Sequence, residues 1–206
     1  MKLRQLEMLL ERVSGFGNPS AEREQYQTPA PLAARLVHMA MMAGDITGRS
    51  VLDLGSGTGI LAIGAALLGA RVTAVEVDIE AVSIAETNAS SLGCDIQFIR
   101  TDVASKEAME LIPECDTVIM NPPFGAQAEH ADRPFLDMAL NKAGTIYGIF
   151  NAGSRSFIAG YIRDRGEIVG EVQAGLAIPR TFWFHSRDRH EIPVEIYVIK
   201  RFKKVK

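Results

Sequence analysis

Short apolar runs recur along this chain, separated by longer segments whose apolar positions repeat at helical spacing. The runs SVLDL (50–54), RVTAVEV (71–77), DIQFI (95–99), DTVIM (116–120) and TIYGIF (145–150) are rich in β-branched residues and mostly apolar at consecutive positions. That pattern predicts strands covered on both faces, the centre of a parallel sheet. Helical spacing appears in ILAIGAALLG from 60, IEAVSIAETNASS from 79, RPFLDMALNKA from 133 and SRSFIAGYIRDR from 154. Strands alternating with such segments predict right-handed βαβ units. EIVGEVQAG (167–175) and VEIYVIKRF (194–202) have no helix between them and should close the sheet antiparallel. Ahead of the first strand, Leu3, Leu6, Leu10 and Val13 line one face of an amphipathic helix. A second helix follows, with Thr28 as its N-cap and Pro29 at its first position. The expected architecture is α/β. It has a seven-stranded, mostly parallel sheet with an antiparallel last strand, helices on both faces and an N-terminal helical extension. Residues 1–45 form a helical cap on a core of 46–206 within a single domain.

Composition adds limits to this outline. At 206 residues, 47% apolar and 23% charged, the chain can bury one substantial core. Cys94 and Cys115 stand far apart with no CxxC or Cys/His cluster, which disfavours a disulfide framework or structural zinc and predicts reduced, buried thiols. The run ILAIGAALLGA is too short for a bilayer, and the N-terminus MKLRQLEMLLERV carries charges through its apolar pattern, unlike a signal peptide. A cytoplasmic protein is expected. The net charge of −3 argues against a general nucleic-acid binder, but it is unevenly spread. Residues 1–154 hold 11 Lys and Arg against 19 Asp and Glu, a balance of −8, while residues 155–206 hold 11 against 6, a balance of +5. The basic C-terminal part is either a solvated face or a grip on phosphates.

Two strand ends carry candidate chemistry. The first strand runs from Asp53 into the turn Gly55, Ser56, Gly57, Thr58, Gly59 and Ile60. Glycines there permit a sharp strand-to-helix turn and close backbone approach to a ligand. Ile60 is too bulky for the third small residue of the dinucleotide fingerprint, so a pyrophosphate ligand is disfavoured. Glu76, followed by Val77, ends the second strand, where a carboxylate can accept from both ribose hydroxyls, and Asp102 ends the third strand's extension. Acids at successive strand ends point to a nucleoside-type cofactor. The fourth strand ends in NPPFG, where two prolines remove two backbone donors and hold Asn121 and Pro122 extended. A plain turn would recruit Gly, Asp or Ser, so Asn121, Pro122, Pro123 and Phe124 form a rigid presentation of an amide and an exposed ring.

DLGSGTG, VEVD, TDV and NPPFG in this order resemble S-adenosylmethionine-dependent methyltransferases of the seven-stranded Rossmann-like class, NPPF being similar to the signature of amino-methylating members. EQYQTP (24–29), VIMNPPFGA and IPRTFWFHSRD (178–188) narrow the resemblance to the methyltransferase-like 5 group of ribosomal-RNA adenine-N6 methyltransferases, over nearly the whole chain. The resemblance implies that Gln25, Tyr26 and Thr28 close over S-adenosylmethionine, that residues of the 53–60 segment line its methionine and ribose side, that Glu76 and Val77 meet the ribose, and that Asp102 and Val103 meet the adenine. Ser56 and Thr58 stand where some relatives carry cysteines, a change between small residues.

The same resemblance implies that the Asn121 oxygen and the Pro122 carbonyl accept hydrogen bonds from an exocyclic amine whose lone pair is delocalised into its ring. Phe124 would stack on a single-stranded or flipped-out base. Arg180, His185, Arg187 and Arg189, between the last two strands, would grip flanking phosphates. A small zinc-binding activator of the Trm112 type is an implied partner, covering an apolar surface or adding to a sheet edge. The mean hydropathy of +0.07 fits such a patch or a well-filled core. Rival readings are a protein-glutamine methyltransferase, for which NPPY is the usual motif, a guanine-N2 methyltransferase, and a catalytically silent scaffold that binds RNA.

Overall fold

The computed structural model describes residues 1–21, 23–125, 130–179 and 189–203. Two helices, α1 (Leu3–Leu10) and α2 (Ala30–Met42), precede β1 (Ser50–Leu54). The chain then alternates through α3 (Ile60–Leu67), β2 (Arg71–Glu76), α4 (Ile79–Ser91), β3 (Ile96–Arg100), a short α5 (Ala108–Leu111) and β4 (Thr117–Met120). It continues with α6 (Arg133–Lys142), β5 (Thr145–Asn151), α7 (Arg155–Ile162), β6 (Gly166–Pro179) and β7 (Arg189–Arg201). The seven strands form one sheet in the order β3-β2-β1-β4-β5-β7-β6. The first five are parallel, and β7 runs antiparallel to both β5 and β6.

Alternate residues of each strand feed two cores. Val51, Val72, Ala74, Ile119 and Tyr147 face α1 to α4, while Leu52, Leu54, Val75, Val118, Met120 and Ile146 face α5, α6 and α7. Burial on both sides explains why these strands read as continuous apolar runs. The expectation of five central strands fails at β3. It is an edge strand with no fully buried residue, because nothing pairs with its outer side. Leu3 is 40% exposed, whereas Leu6, Leu10 and Val13 enter the core, since α1 turns only one stripe toward α2 and α3. Cys94 and Cys115 are free and half-buried rather than buried; desolvation still raises both thiols, Cys115 to about 12.

β1 and β4 lie side by side at the point where the strand order reverses, and their carboxyl ends open on one crevice. The β6–β7 hairpin continues past the end of β5, whose pairing with β7 stops at Asn151↔Val194, as far as Pro179↔Arg189. Antiparallel to β5, this overhang projects beyond the same end of the sheet. Among the described residues, no helix is long and apolar enough to cross a membrane.

Candidate active site

The crevice holds a cavity of about 420 Å³ whose walls include Gly55 to Thr58, Ile60, Glu76, Val77, Asp102, Val103, Asn121 and Pro123. The first wall is the turn between β1 and α3. Gly57 has φ +54 and a Cβ there would come within 2.9 Å of the Phe16 ring, so a side chain would fill the cradle. Gly59 does not line the cavity. With φ +88 it is the N-cap of α3, where a Cβ would lie 3.1 Å from Ala85 of α4, so its smallness serves helix packing. Asp53, expected at the cofactor, also stays out of the cavity wall. Fully buried, it accepts from the Ala62 amide at 2.9 Å through Oδ2 and so caps the first turn of α3 from the strand. Desolvation raises its pKa to about 8, with the Glu76 charge adding to the rise and the Ala62 amide opposing it.

Glu76 closes β2 and is gripped by backbone. Its Oε2 accepts from Gly57 N at 2.8 Å, and its Oε1 accepts from Val77 N and Asp78 N at 2.9 and 3.0 Å. Asp102 is exposed at the rim with Oδ1 bound to Ala104 N at 2.8 Å, while Val103 is buried beneath it.

Residues 13–21 and 23–28 form a strap, and Phe16 and the residues from Arg23 to Thr28 line the cavity. Gln25, 8% exposed, donates to Asp78 Oδ2 at 2.8 Å and accepts from Ser20 N at 2.7 Å. Arg23 meets the same Asp78 oxygen at 2.9 Å. The Gln25 amide, with smaller help from the Glu80 amide and Arg23, holds the Asp78 carboxyl below its usual range against the effect of burial. Asn88 ties strap to turn: its Oδ1 accepts from Ser14 N, and its Nδ2 donates to the carbonyls of Ser14 and Thr58, each at 3.0 Å. Asn88 was missed in the sequence, although it shares the buried stripe of α4 with Ala81, Val82, Ala85 and Ala89, where an amide without a task would be costly. Tyr26 and Thr28 also line the cavity.

Thr28 is not the N-cap. Pro29 takes that position with no side-chain hydrogen bond, and α2 starts at Ala30. The Thr28 hydroxyl instead accepts from Asn121 Nδ2 at 2.9 Å. Asn121 Oδ1 is buried and, among the described residues, has no hydrogen-bond partner. Pro122 is buried between its neighbours, which line the cavity. Phe124 is half-buried rather than an exposed ring, since it packs against the core on the α1–α4 side. Its amide, the first donor after the two prolines, binds Glu24 Oε2 at 2.7 Å, and Glu24 itself sits at φ +50. Beyond the motif lies a second cavity of about 290 Å³, lined by Phe124, His130, Phe150, Asn151, Ser154 and Phe157 among others. Arg180, His185 and Arg187 lie outside the described residues. Arg189 is placed by its backbone, opposite Pro179 at the outer end of the hairpin.

This set fits the S-adenosylmethionine implied by the sequence. An acidic strand end, a glycine cradle, the unpartnered buried oxygens Ser56 Oγ and Asn121 Oδ1, and apolar walls from Phe16, Ile60 and Phe135 suit a ligand that is part nucleoside, part cation.

Comparison with known proteins agrees with this geometry. The model of the methyltransferase small domain matches residues 32–149. An uncharacterised protein of Methanocaldococcus jannaschii is 38% identical over 98% of this chain and 95% of its own length. An rRNA N(6)-adenosine-methyltransferase of Drosophila melanogaster is 35% identical, covering 96% of this chain and 95% of the relative. The crystal structure of a candidate RNA methyltransferase from Pyrococcus horikoshii matches with a TM-score of 0.90 at 37% identity, over 98% of this chain and 99% of that one. The matched family segment begins in α2 and ends within β5, so it takes in the strands that shape the first cavity, and the chain belongs to the methyltransferase small domain family.

Proposed function

We propose that this protein transfers the methyl group of S-adenosylmethionine to the exocyclic N6 amine of an adenosine in ribosomal RNA. The observation that carries the reading is Asn121. Its oxygen is buried and, among the described residues, without a partner, in a motif with the first cavity on one side and an aromatic-lined cavity on the other. When bound, S-adenosylmethionine supplies an electrophilic methyl on a cationic sulfur. Asn121 Oδ1 and the Pro122 carbonyl accept from the incoming amine, favour its pyramidal form and aim its lone pair toward the first cavity. The amine proton held at Asn121 Oδ1 becomes acidic once nitrogen carries the new bond, so the site needs no strong base. Phe124 stacks on the base, worth about 1–3 kcal/mol, and Glu76 accepts from the ribose hydroxyls.

The Drosophila relative's name supports ribosomal RNA as the substrate class, and Arg189, at the outer end of the overhanging hairpin, would meet a flanking phosphate. Phe124 in place of tyrosine favours a base over a glutamine side chain. A Trm112-type activator would add to the free edge of β3 or cover exposed apolar side chains such as Met109 and Leu111 of α5, which are 42% and 56% exposed. We place the reaction in the cytoplasm. The test is to incubate the purified protein with ribosomal RNA and labelled S-adenosylmethionine, digest the RNA to nucleosides and identify the labelled one by mass spectrometry. N6-methyladenosine is expected. Methylguanosine would overturn the adenine reading, and label confined to protein would move the substrate to glutamine.

A further inference from the structure

An amide that must accept from a substrate amine has a second requirement. Its own NH₂ has to point elsewhere and find an acceptor there. Rotated by half a turn, Asn121 would present donors to a donor and the approach would fail. In the structure Asn121 Nδ2 donates to Thr28 Oγ1 at 2.9 Å, and Oδ1 is the atom left unspent. Thr28 is 6% exposed and stands before Pro29, which restricts its backbone to extended conformations, so the hydroxyl is presented from a stiff segment. The two residues are 93 positions apart and meet only because the strap folds over the end of β4. A hydroxyl can accept or donate. The arriving amine therefore selects the amide orientation, and Thr28 makes that orientation satisfiable by taking the Nδ2 proton.

We infer that Thr28 is a positioning residue for methyl transfer, holding the NH₂ edge of Asn121 so that Oδ1 faces the substrate amine. The inference rests on the reading that Asn121 accepts from an amine. Without the hydroxyl, Nδ2 loses this acceptor and the orientation that suits the amine is no longer satisfied by Thr28.

The experiment compares Thr28→Val, Thr28→Ser, Asn121→Ala and the Thr28→Val/Asn121→Ala double variant in single-turnover methylation of ribosomal RNA. Alongside, it follows the Asn121 side-chain NH₂ in ¹⁵N–¹H spectra of the protein alone, assigned by its loss in Asn121→Ala. Thr28→Val should slow transfer about 10- to 100-fold with the KM for RNA little changed, and Thr28→Ser should restore most of it. Adding Thr28→Val to Asn121→Ala should slow transfer no further, because Thr28 acts through Asn121. The NH₂ signals should move in Thr28→Val and stay in Thr28→Ser. Equal losses in the wild-type and Asn121→Ala backgrounds, or NH₂ signals unmoved by Thr28→Val, would overturn the inference. A wild-type protein that labels no adenosine would instead strike the proposed function, and the NH₂ signals would still decide whether Thr28 holds the amide.

Discussion

Glu76 and Asn121 close two strands that flank β1, yet the fold treats them differently. Both oxygens of Glu76 are engaged by three backbone amides, from Gly57, Val77 and Asp78. Among the described residues, the Asn121 side chain has one bond, through its donor, and keeps its acceptor unspent. The first residue is therefore part of the scaffold, since it holds the glycine turn against β2, as well as the proposed acceptor for the ribose hydroxyls. The second is held in place with its working atom free, at the cost of a buried unsatisfied oxygen that only a substrate would repay. Scaffold and proposed reactivity are thus separated onto strand ends on either side of β1.

The sharpest way to break that contrast is Asn121→Ala. It should lower kcat about 100- to 1,000-fold while cofactor affinity and Tm stay near wild-type, the pattern of an interaction made in the transition state. Calorimetric titration with S-adenosylmethionine beside single-turnover rates would check it. A matching loss of cofactor affinity would put Asn121 on the scaffold side.

Glu76→Ala should fail on both counts. Losing the shared acceptor should weaken S-adenosylmethionine by about 1–3 kcal/mol and, at about 2–4 °C per kcal/mol for a domain of this size, lower Tm visibly even without cofactor. A variant weaker in binding but unchanged in Tm would show that the three amide contacts contribute nothing to stability.

Glu24 links the two sides, because its carboxylate ties the strap to the Phe124 amide. Glu24→Ala should raise the KM for RNA about 3- to 10-fold, and Glu24→Gln, which keeps an acceptor oxygen, should stay closer to wild-type. Identical behaviour of the two variants would mean that the contact does not hold the motif.

The smallest effect on methyl transfer belongs to Asp53→Asn, which keeps an acceptor for Ala62 and removes a buried acid outside the cavity wall. Folded Asp53 titrates near 8 and its unfolded form near the usual 3.9. The folded state therefore holds a proton that the unfolded state releases between those values, and stability falls as pH rises through this window. The slope from one such group is at most about 1.4 kcal/mol per pH unit. Denaturant melts of the cofactor-free chain from pH 4 to 8 should show a flatter profile in the variant.

Much of this molecule is written locally. Strands covered on both faces cannot avoid reading as apolar runs, so β1, β2, β4 and β5 were legible. Most of the residues that line the first cavity were legible too, because glycine turns and a double proline have few other uses at strand ends. The edge position of β3 was not, since DIQFI resembles its neighbours and only the pairing order exposes one side. Nor was the short α5, which is too brief for helical spacing to register.

Within the site, sequence spacing placed Asp53 and Gly59 on the motif that builds the pocket. Packing decided that one caps α3 and the other meets α4. Thr28 shows the limit most plainly. Thr before Pro reads as a helix start from local chemistry, but its hydroxyl has a distant alternative 93 positions away. Local propensity sets which residues can make a cap, a turn or a strand. Which acceptor a buried donor finds depends on what the chain brings within 3 Å of it, and that distance is set only when the strap, the sheet and the helices close together.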